Sequence, residues 1–236
     1  MSDIAKRFSQ NPLLKPIDLK ASNSNLVIVS LLNPGVFRFD DKIWLIVRVA
    51  ENVKPKSGVI SIPKLNSTQE IEIIEVSIND PELIANDVRV INYKGDDYLT
   101  TVSHLRLLSS KDGINFIEDL AYPPLIGDGL LENFGVEDCR VSYIDGVYYL
   151  TYTAVSDSGV GVGLRTTKDW QKFENKGMIF PPHNKDCAIF EEKINGKFYA
   201  LHRPSSVAIG GNFIWIAEST DAVQWGNHKC ILKTRV

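Results

Sequence analysis

The chain lacks the features that mark several large classes of protein. Its three cysteines, Cys139, Cys187 and Cys230, are an odd number without C-x-x-C spacing, so we predict neither a disulfide framework nor a structural zinc site. No block of Lys and Arg stands apart among its 26 basic and 29 acidic residues, which predicts that nucleic acid is not a partner. No metal or organic cofactor is implied by any set of ligands at recognisable spacing.

Long apolar runs are absent as well. No uncharged run approaches the roughly 18 residues of a membrane span, and the first residues lack the apolar region of a signal peptide. We therefore expect no membrane partner and a cytoplasmic location, or a periplasmic one if a signal peptide has been removed. Helical periodicity is nearly absent. The hydrophobic residues, 44% of the chain, are expected to form their core from β-strands.

One turn pattern occurs three times. Residues 110–116, 167–173 and 219–225 each contain Ser or Thr, a spacer, Asp and a later aromatic residue. The Asp carboxylate can accept backbone N–H bonds within the turn, while the aromatic side chain returns to the core. Because each copy follows an alternating apolar stretch, we predict a turn between two strands at all three positions.

Four hairpins are predicted around these turns, at residues 36–47, 88–99, 141–150 and 189–200. Asp145-Gly146 and Asn195-Gly196 suit type I′ turns, which need positive φ at both central residues. Units of about four strands that recur at about fifty residues are typical of propeller blades. The sequence thus predicts an all-β fold, a β-propeller of about four blades in a single domain of residues 1–236. A β-sandwich is the alternative, but it gives no reason for one turn to recur.

A propeller would bring polar residues together. Four of them stand just before the first strand of a unit: Asn33, Asp87, Asp138 and Asp186. First strands line the central channel, so these side chains are expected to converge. The ends of the second strands are predicted to add Arg48, His104, Tyr152, Thr153, His202 and Arg203. Such a mixture of carboxylates, cations and hydroxyls suits a polyhydroxylated sugar.

Structural roles are the alternative for several of these residues. Asp87 can cap its own turn by accepting backbone N–H bonds. Arg140 can pair with a neighbouring carboxylate without any catalytic meaning. His183 and His202 can be satisfied by structural hydrogen bonds, and without a third ligand they do not predict a metal site.

As an ordered set, the motifs resemble glycoside hydrolase family 130. They lie at residues 33–35, 47–49, 135–140, 149–154, 184–186 and 202–204, and the resemblance covers nearly the whole chain. It implies a five-bladed propeller that acts on β-mannosides. The family comprises mostly inverting β-mannoside phosphorylases, with a smaller group of β-1,2-mannosidases.

The resemblance also implies roles for individual residues. Asp138 corresponds to the family's general acid, which protonates the departing glycosidic oxygen, in characterised members through a hydroxyl of the sugar. Lys185 and Arg203 stand where phosphorylases hold inorganic phosphate, the co-substrate. The remaining predicted substrate-binding residues are Asn33, Arg48, Asp87, His104, Arg140, Asp186 and His202.

Three departures from the family pattern bear on the reaction. Cys139 replaces the usual Pro of the Gly-Val-Glu-Asp-Pro-Arg motif, and Glu191 stands where phosphorylases commonly carry Pro. An added carboxylate could activate water, so Glu191 is a candidate general base, with a solvated strand residue as the alternative. The third departure is length, because residues matching the family's last blade, with a phosphate-binding histidine, are missing; the domain is therefore expected to be truncated at its C terminus.

These observations lead to three hypotheses. The first is an inverting glycoside hydrolase that releases mannose from β-mannosides, with β-1,2 linkages favoured, using Asp138 as acid and Glu191 as base. The second is a β-mannoside phosphorylase that produces mannose 1-phosphate. The third is a carbohydrate-binding propeller without activity. In each the partner is a β-manno-oligosaccharide, and association between chains is left open.

Overall fold

The structure, a computed structural model, describes residues 7–205 and 211–234. Short 3₁₀ helices cover Pro16–Asp18 and Leu130–Glu132. Within the described residues there is no helix of the length and apolarity needed to cross a bilayer. In chain order the strands are β1 (Leu26–Phe39), β2 (Lys42–Val53), β3 (Val59–Leu65), β4 (Ile71–Ser77), β5 (Leu83–Ile84), β6 (Val90–Tyr93), β7 (Asp96–Leu99), β8 (Thr101–Ser110), β9 (Ile117–Glu118), β10 (Gly135–Ile144), β11 (Val147–Ser156), β12 (Gly159–Thr167), β13 (Glu174–Phe180), β14 (Asn184–Ile189), β15 (Phe198–Pro204), β16 (Ile214–Ser219) and β17 (Gly226–Leu232).

Most of these strands form three antiparallel four-stranded units. The first blade has the order β1-β2-β8-β9, the second β10-β11-β12-β13 and the third β14-β15-β16-β17. A parallel bridge between Gly135 and Ser103 joins β10 to β8, so the first two blades touch at that point. Successive up-and-down units of this kind are propeller blades, and the predicted all-β propeller fold is confirmed.

One predicted hairpin does not open a blade. Residues 88–99 form β6 and β7, which pair with β5 in a small separate sheet. This sheet and the β3–β4 hairpin form an insertion, residues 54–100, between β2 and β8. Those two strands pair directly, from Ile43↔Ser110 to Asn52↔Thr101. The long β2–β8 ladder completes the first blade, whereas β6 and β7 have only 4 residues each.

The blades pack on one another through apolar layers. Between the first and second blades aromatic rings dominate, and Phe37 stacks on Trp170 with ring centroids 3.9 Å apart. Between the second and third blades small side chains such as Ala200 and Ala217 allow close packing. The insertion packs against the second blade through a separate buried cluster, which consists of Ile62, Val76, Ile91, Phe134 and Val155.

The repeated turn is confirmed at all three positions. Asp112, Asp169 and Asp221 each follow the third strand of a blade and accept N–H bonds from the residues two and three positions later, at 2.8–3.0 Å. These backbone hydrogen bonds hold the pKa of each carboxyl below its usual range. The turn between the third and fourth strands is therefore built in the same way in each blade.

Candidate active site

Three of the four polar residues predicted to be equivalent do occupy equivalent positions. Asn33, Asp138 and Asp186 have φ of 38°, 50° and 54°. Each lies at a break in the pairing between the first and second strands of its blade. Asn and Asp tolerate the left-handed region better than most residues, and such bulges redirect a side chain out of the strand. The sequence therefore uses one backbone device to present a polar group on each blade.

The second strands present a matching set of side chains. Immediately before each break, the register pairs Leu32 with Arg48, Glu137 with Thr153 and Lys185 with Arg203. Arg48, Thr153 and Arg203 are thus equivalent positions on β2, β11 and β15. The predicted contribution of Arg48, Thr153 and Arg203 from the second strands agrees with this register.

Two glycines allow β10 to approach β1 and β8 closely. A Cβ on Gly135, which has φ of +100°, would lie 1.9 Å from the carbonyl oxygen of Ser103. A Cβ on Gly35 would lie 2.7 Å from the carbonyl oxygen of Cys139. Larger residues at either position would push β1 and β8 away from β10. The glycines of both motifs therefore bring Asn33 and Ser103 close to Asp138.

A compact polar cluster surrounds Asp138. Arg48 donates from Nη1 to Oδ1 of Asp138 at 3.2 Å and from Nη2 to Oε1 of Glu137 at 2.5 Å. Asn33 donates to the other oxygen of Asp138, Oδ2, at 3.0 Å. The side chains of Arg48, Glu137 and Asp138 are 17%, 15% and 15% exposed. Asp138 is therefore held by both its oxygens and remains accessible to a small ligand.

Ser103 completes the cluster and was not predicted from the sequence. It accepts a bond from Nε of Arg48 at 3.2 Å and donates to Oε1 of Glu137 at 3.1 Å. Burial raises the pKa of the Glu137 carboxyl, and the charge of Arg48 and the Ser103 hydroxyl act against that rise. The close approach of Gly135 could have pointed to a neighbour on another strand, but no motif marks Ser103 itself.

The third blade contributes a second charged group. Arg203 donates to Oδ2 of Asp186 from Nε at 2.8 Å and also from Nη2. Lys185, paired with Arg203 across β14 and β15, is close enough to Glu137 for its charge to act, as that of Arg48 does, against the rise that burial causes in the pKa of that carboxyl. The predicted phosphate-binding cations therefore lie on the same side of the molecule as Asp138.

Arg140 lies beside the cluster, and its hydrogen-bond partners are backbone carbonyl oxygens instead of the neighbouring carboxylate considered above. Its Nη1 donates to the carbonyl oxygen of Cys139 at 3.2 Å and towards that of Asn33 at 3.4 Å. It thus spans the bulges of the first and second blades through backbone oxygens.

Two predicted histidines do not join the cluster. His104 lies on the third strand of the first blade, paired with Val49, and its Nδ1 is 3.9 Å from Oε2 of the buried Glu51. His202 alternates with Arg203 and so points to the opposite face of β15, where it stacks on Phe180. Burial lowers the pKa of each histidine to about 4. Both side chains are buried in structural surroundings, which corrects their predicted placement beside the sugar.

His202 makes polar contacts on both ring nitrogens. Its Nδ1 contacts Nδ2 of Asn184 at 2.9 Å, and its Nε2 lies 3.2 Å from Nδ1 of His228. Among residues 7–205 and 211–234, no three His, Cys, Asp or Glu side chains are grouped so that they could hold a metal ion.

Asp87 and Glu191 also lie away from Asp138. Asp87 belongs to the insertion, where it accepts the backbone N–H of Arg89 at 2.7 Å, and this bond lowers the pKa of its carboxyl. It is therefore the turn cap considered as the alternative. Glu191 is exposed beyond the end of β14 and lines an outer groove with Arg38 and Tyr143. This groove lies towards the β1–β2 turn and the far end of β10, away from the bulges that carry Asn33 and Asp138.

Comparisons with known proteins identify relatives of the whole chain. A family model described as beta-1,4-mannooligosaccharide phosphorylase, that of glycoside hydrolase family 130, matches residues 86–235. The beta-1,2-mannobiose phosphorylase of Listeria innocua serovar 6a is 39% identical over 235 residues, which are 97% of this chain and 66% of that protein. A structure of beta-1,2-mannobiose phosphorylase from Listeria innocua with beta-1,2-mannobiose has a TM-score of 0.90, again at 39% identity, over 97% of this chain and 66% of its own.

Other relatives are less complete or more distant. The 1,2-beta-oligomannan phosphorylase of Thermoanaerobacter sp. is 41% identical over 135 residues, 56% of this chain and 43% of that protein. A structure from work on family 130 glycoside hydrolases that target beta-1,2 mannosidic linkages in Candida mannan shares the fold, with a TM-score of 0.65 at 18% identity over 100% of this chain and 64% of its own. The chain thus spans 66% of the Listeria protein and 43% of the Thermoanaerobacter protein. Because the family model matches more than half of its residues, the chain belongs to glycoside hydrolase family 130.

Proposed function

We propose that the protein cleaves β-1,2-linked mannosides by phosphorolysis. The relation to the Listeria beta-1,2-mannobiose phosphorylase, 39% identical over 97% of this chain, supports the choice of substrate. One geometric observation carries the choice of reaction. Lys185 and Arg203 face each other across β14 and β15 on the Asp138 side of the molecule, and two cations are suited to bind phosphate.

Hydrolysis is the weaker hypothesis. An inverting hydrolase needs its base roughly 6.5–9.5 Å from its acid, with a water molecule between them. Glu191, the predicted base, is exposed and lines a groove with Arg38 and Tyr143 towards the far ends of β1 and β10, whereas Asp138 lies at the bulge near the start of β10. Phosphate is itself the nucleophile and needs no such base, so the phosphorylase alternative fits the geometry better.

In the proposed reaction Asp138 is the general acid. It supplies the proton that reaches the departing glycosidic oxygen while a phosphate oxygen attacks C1 from the opposite face. The bond from C1 to phosphate forms as the bond from C1 to the leaving sugar breaks, so a β-mannoside gives α-mannose 1-phosphate. Arg48 and Asn33 each hold one oxygen of Asp138 and so fix the orientation of the acid.

The test is to incubate the protein with β-1,2-mannobiose in the presence and absence of phosphate and to quantify mannose 1-phosphate and free mannose. We expect cleavage only with phosphate.

Arg203→Ala should raise KM for phosphate by about tenfold or more, because a charged contact is lost. Arg38→Ala, at the exposed far end of β1, is the matched control.

Two results would contradict the proposal. Release of free mannose at the same rate without phosphate would establish hydrolysis. If the parent protein and Asp138→Asn bind mannobiose equally and neither turns it over, the protein is a sugar-binding propeller. For a phosphorylase, Asp138→Asn should lower kcat by roughly 10²- to 10⁴-fold, the usual contribution of a general acid, while mannobiose still binds.

A further inference from the structure

The guanidinium group of Arg48 is shared between two adjacent carboxylates. Its two terminal nitrogens bind different acids, Nη1 to Asp138 at 3.2 Å and Nη2 to Glu137 at 2.5 Å. A bidentate pair with a single carboxylate is the common arrangement for arginine and would place both nitrogens on one partner. Here the shorter contact goes to Glu137, so Asp138 receives only part of the available positive charge.

Ser103 closes a ring of contacts around the other side of Arg48. The hydroxyl accepts from Nε of Arg48 at 3.2 Å and donates to Oε1 of Glu137 at 3.1 Å. Arg48 therefore has a partner at Nε, Nη1 and Nη2, and its plane is fixed from both ends. The backbone contact between Gly135 and Ser103 keeps the two strands that carry this ring together.

Three charged groups and one hydroxyl, from four strands, act on Glu137. Arg48 faces it from β2, the Ser103 hydroxyl from β8, the neighbouring Asp138 from β10 and Lys185 from β14. Asp138 in turn faces Arg48 and the Asn33 amide of β1. Glu137 and Asp138 therefore compete for one arginine within a partly buried cluster.

We propose that Glu137 is a positioning residue. It keeps the guanidinium group of Arg48 shared between Glu137 and Asp138, and thereby sets the pH range in which Asp138 acts as the acid. The proposal rests on the general-acid role of Asp138 in the proposed function. Glu137 itself need not touch the substrate. Its contribution is a negative charge that divides Arg48 between the two acids and stands directly beside Asp138.

The decisive variant is Glu137→Gln, which keeps the shape of the side chain and removes its charge. Arg48 would then form an ion pair with Asp138 alone, and Asp138 would lose a neighbouring negative charge. Both changes favour the ionised acid, so the basic limb of the kcat/KM profile should move to lower pH by about one unit, with roughly tenfold lower activity above the limb. Glu137→Asp, which keeps the charge on a shorter side chain, should place the limb between those of the parent and of Glu137→Gln.

The controls separate positioning from general damage. Glu75→Gln, an exposed partner of Lys56 in the insertion, should leave the profile unchanged. A loss of kcat in Glu137→Gln with an unmoved basic limb would overturn the proposal, because a merely structural role lowers activity at every pH. An unchanged profile and rate would overturn it too, since the charge of Glu137 would then have no effect on the pH range in which Asp138 acts. If Glu137→Gln does not fold, Glu137→Asp decides alone, because a shorter acid should weaken the hold on Arg48 and move the limb part of the way.

An activity-independent measurement keeps the two proposals distinguishable. The ¹³C carboxyl resonance of Asp138, assigned with Asp138→Asn, can be titrated in the parent and in Glu137→Gln. A lower titration midpoint in Glu137→Gln supports the role of Glu137 even if no phosphorolysis is found. An identical midpoint overturns that role even if phosphorolysis is confirmed.

Discussion

At Gly135 the first strand of the second blade comes so close to β8 that a Cβ would lie 1.9 Å from the carbonyl oxygen of Ser103. Its φ of +100° is also unfavourable for any residue with a side chain. Gly135→Ala should therefore lower the free energy of unfolding by about 2–5 kcal/mol, from backbone strain together with the clash. Urea unfolding monitored by tryptophan fluorescence measures this loss.

Gly146 provides the matched control for that substitution. It has φ of +80°, but nothing lies within 4 Å of a Cβ built there. Gly146→Ala should cost only the backbone strain, about 1 kcal/mol. Equal losses for the two variants would mean that the contact with Ser103 does not hold the blades together.

The residues of the site could be predicted where the sequence repeats and not where it is interrupted. Asn33, Asp138 and Asp186 share a left-handed bulge, and short polar residues before an apolar strand are visible in the sequence. Ser103 follows the insertion and carries no motif. Glu191 is only five positions from Asp186, but it lies beyond the end of β14, in the groove of Arg38 and Tyr143. Nearness in sequence is a poor guide to distance along a strand.

At the scale of elements, the three Asp turns make the folding stability depend on pH. Backbone N–H bonds lower the pKa of Asp169, so the folded state binds its proton less readily than the unfolded state does. This contribution is fully present above the unfolded pKa, about 4, and is lost as the pH falls through the lower folded pKa. Asp169→Asn should be less stable than the parent at pH 7, and the difference should shrink below about pH 4.

Thermal unfolding from pH 7 down to pH 2.5 tests the role of Asp169. Asp41→Asn, at the exposed β1–β2 turn, is the control and should follow the parent at every pH. A deficit in Asp169→Asn that stays constant with pH would show that the carboxylate charge is not what the turn uses.

The insertion is the element whose place in the fold was predicted wrongly, because its hairpin was assigned to a blade. Its β6–β7 hairpin has the alternation and tight turn of a blade hairpin, and both local signals are correct. What decides blade membership is the pairing of β2 with β8 across the inserted residues, which is a long-range contact. Hairpins could therefore be predicted locally, whereas the assignment of strands to sheets depended on which ladder buries more of its side chains.

At the scale of the whole molecule, the site depends on how the second and third blades are joined. Asp138 comes from the second blade, while Lys185, Asp186 and Arg203 come from the third. Two buried hydroxyls of the second blade cross this boundary. Ser142 donates to the carbonyl oxygen of Ile189 at 2.6 Å, and Thr151 donates to that of Cys187 at 2.7 Å. These bonds fix β14 against β10 and β11, and thereby fix the distance from acid to cations.

Removing both hydroxyls should loosen the third blade and leave the first in place. In Ser142→Ala/Thr151→Val each carbonyl loses a buried donor, which should cost about 1–3 kcal/mol per bond. Amide hydrogen exchange should then rise across β14–β17 and change little in β1 and β2, whereas exposed Ser67→Ala should change neither. If the proposed phosphorolysis is correct, KM for phosphate should increase more than KM for mannobiose, because the cations move relative to the acid. A uniform rise in exchange over all three blades would mean that they unfold as one unit and that the boundary has no separate role in shaping the site.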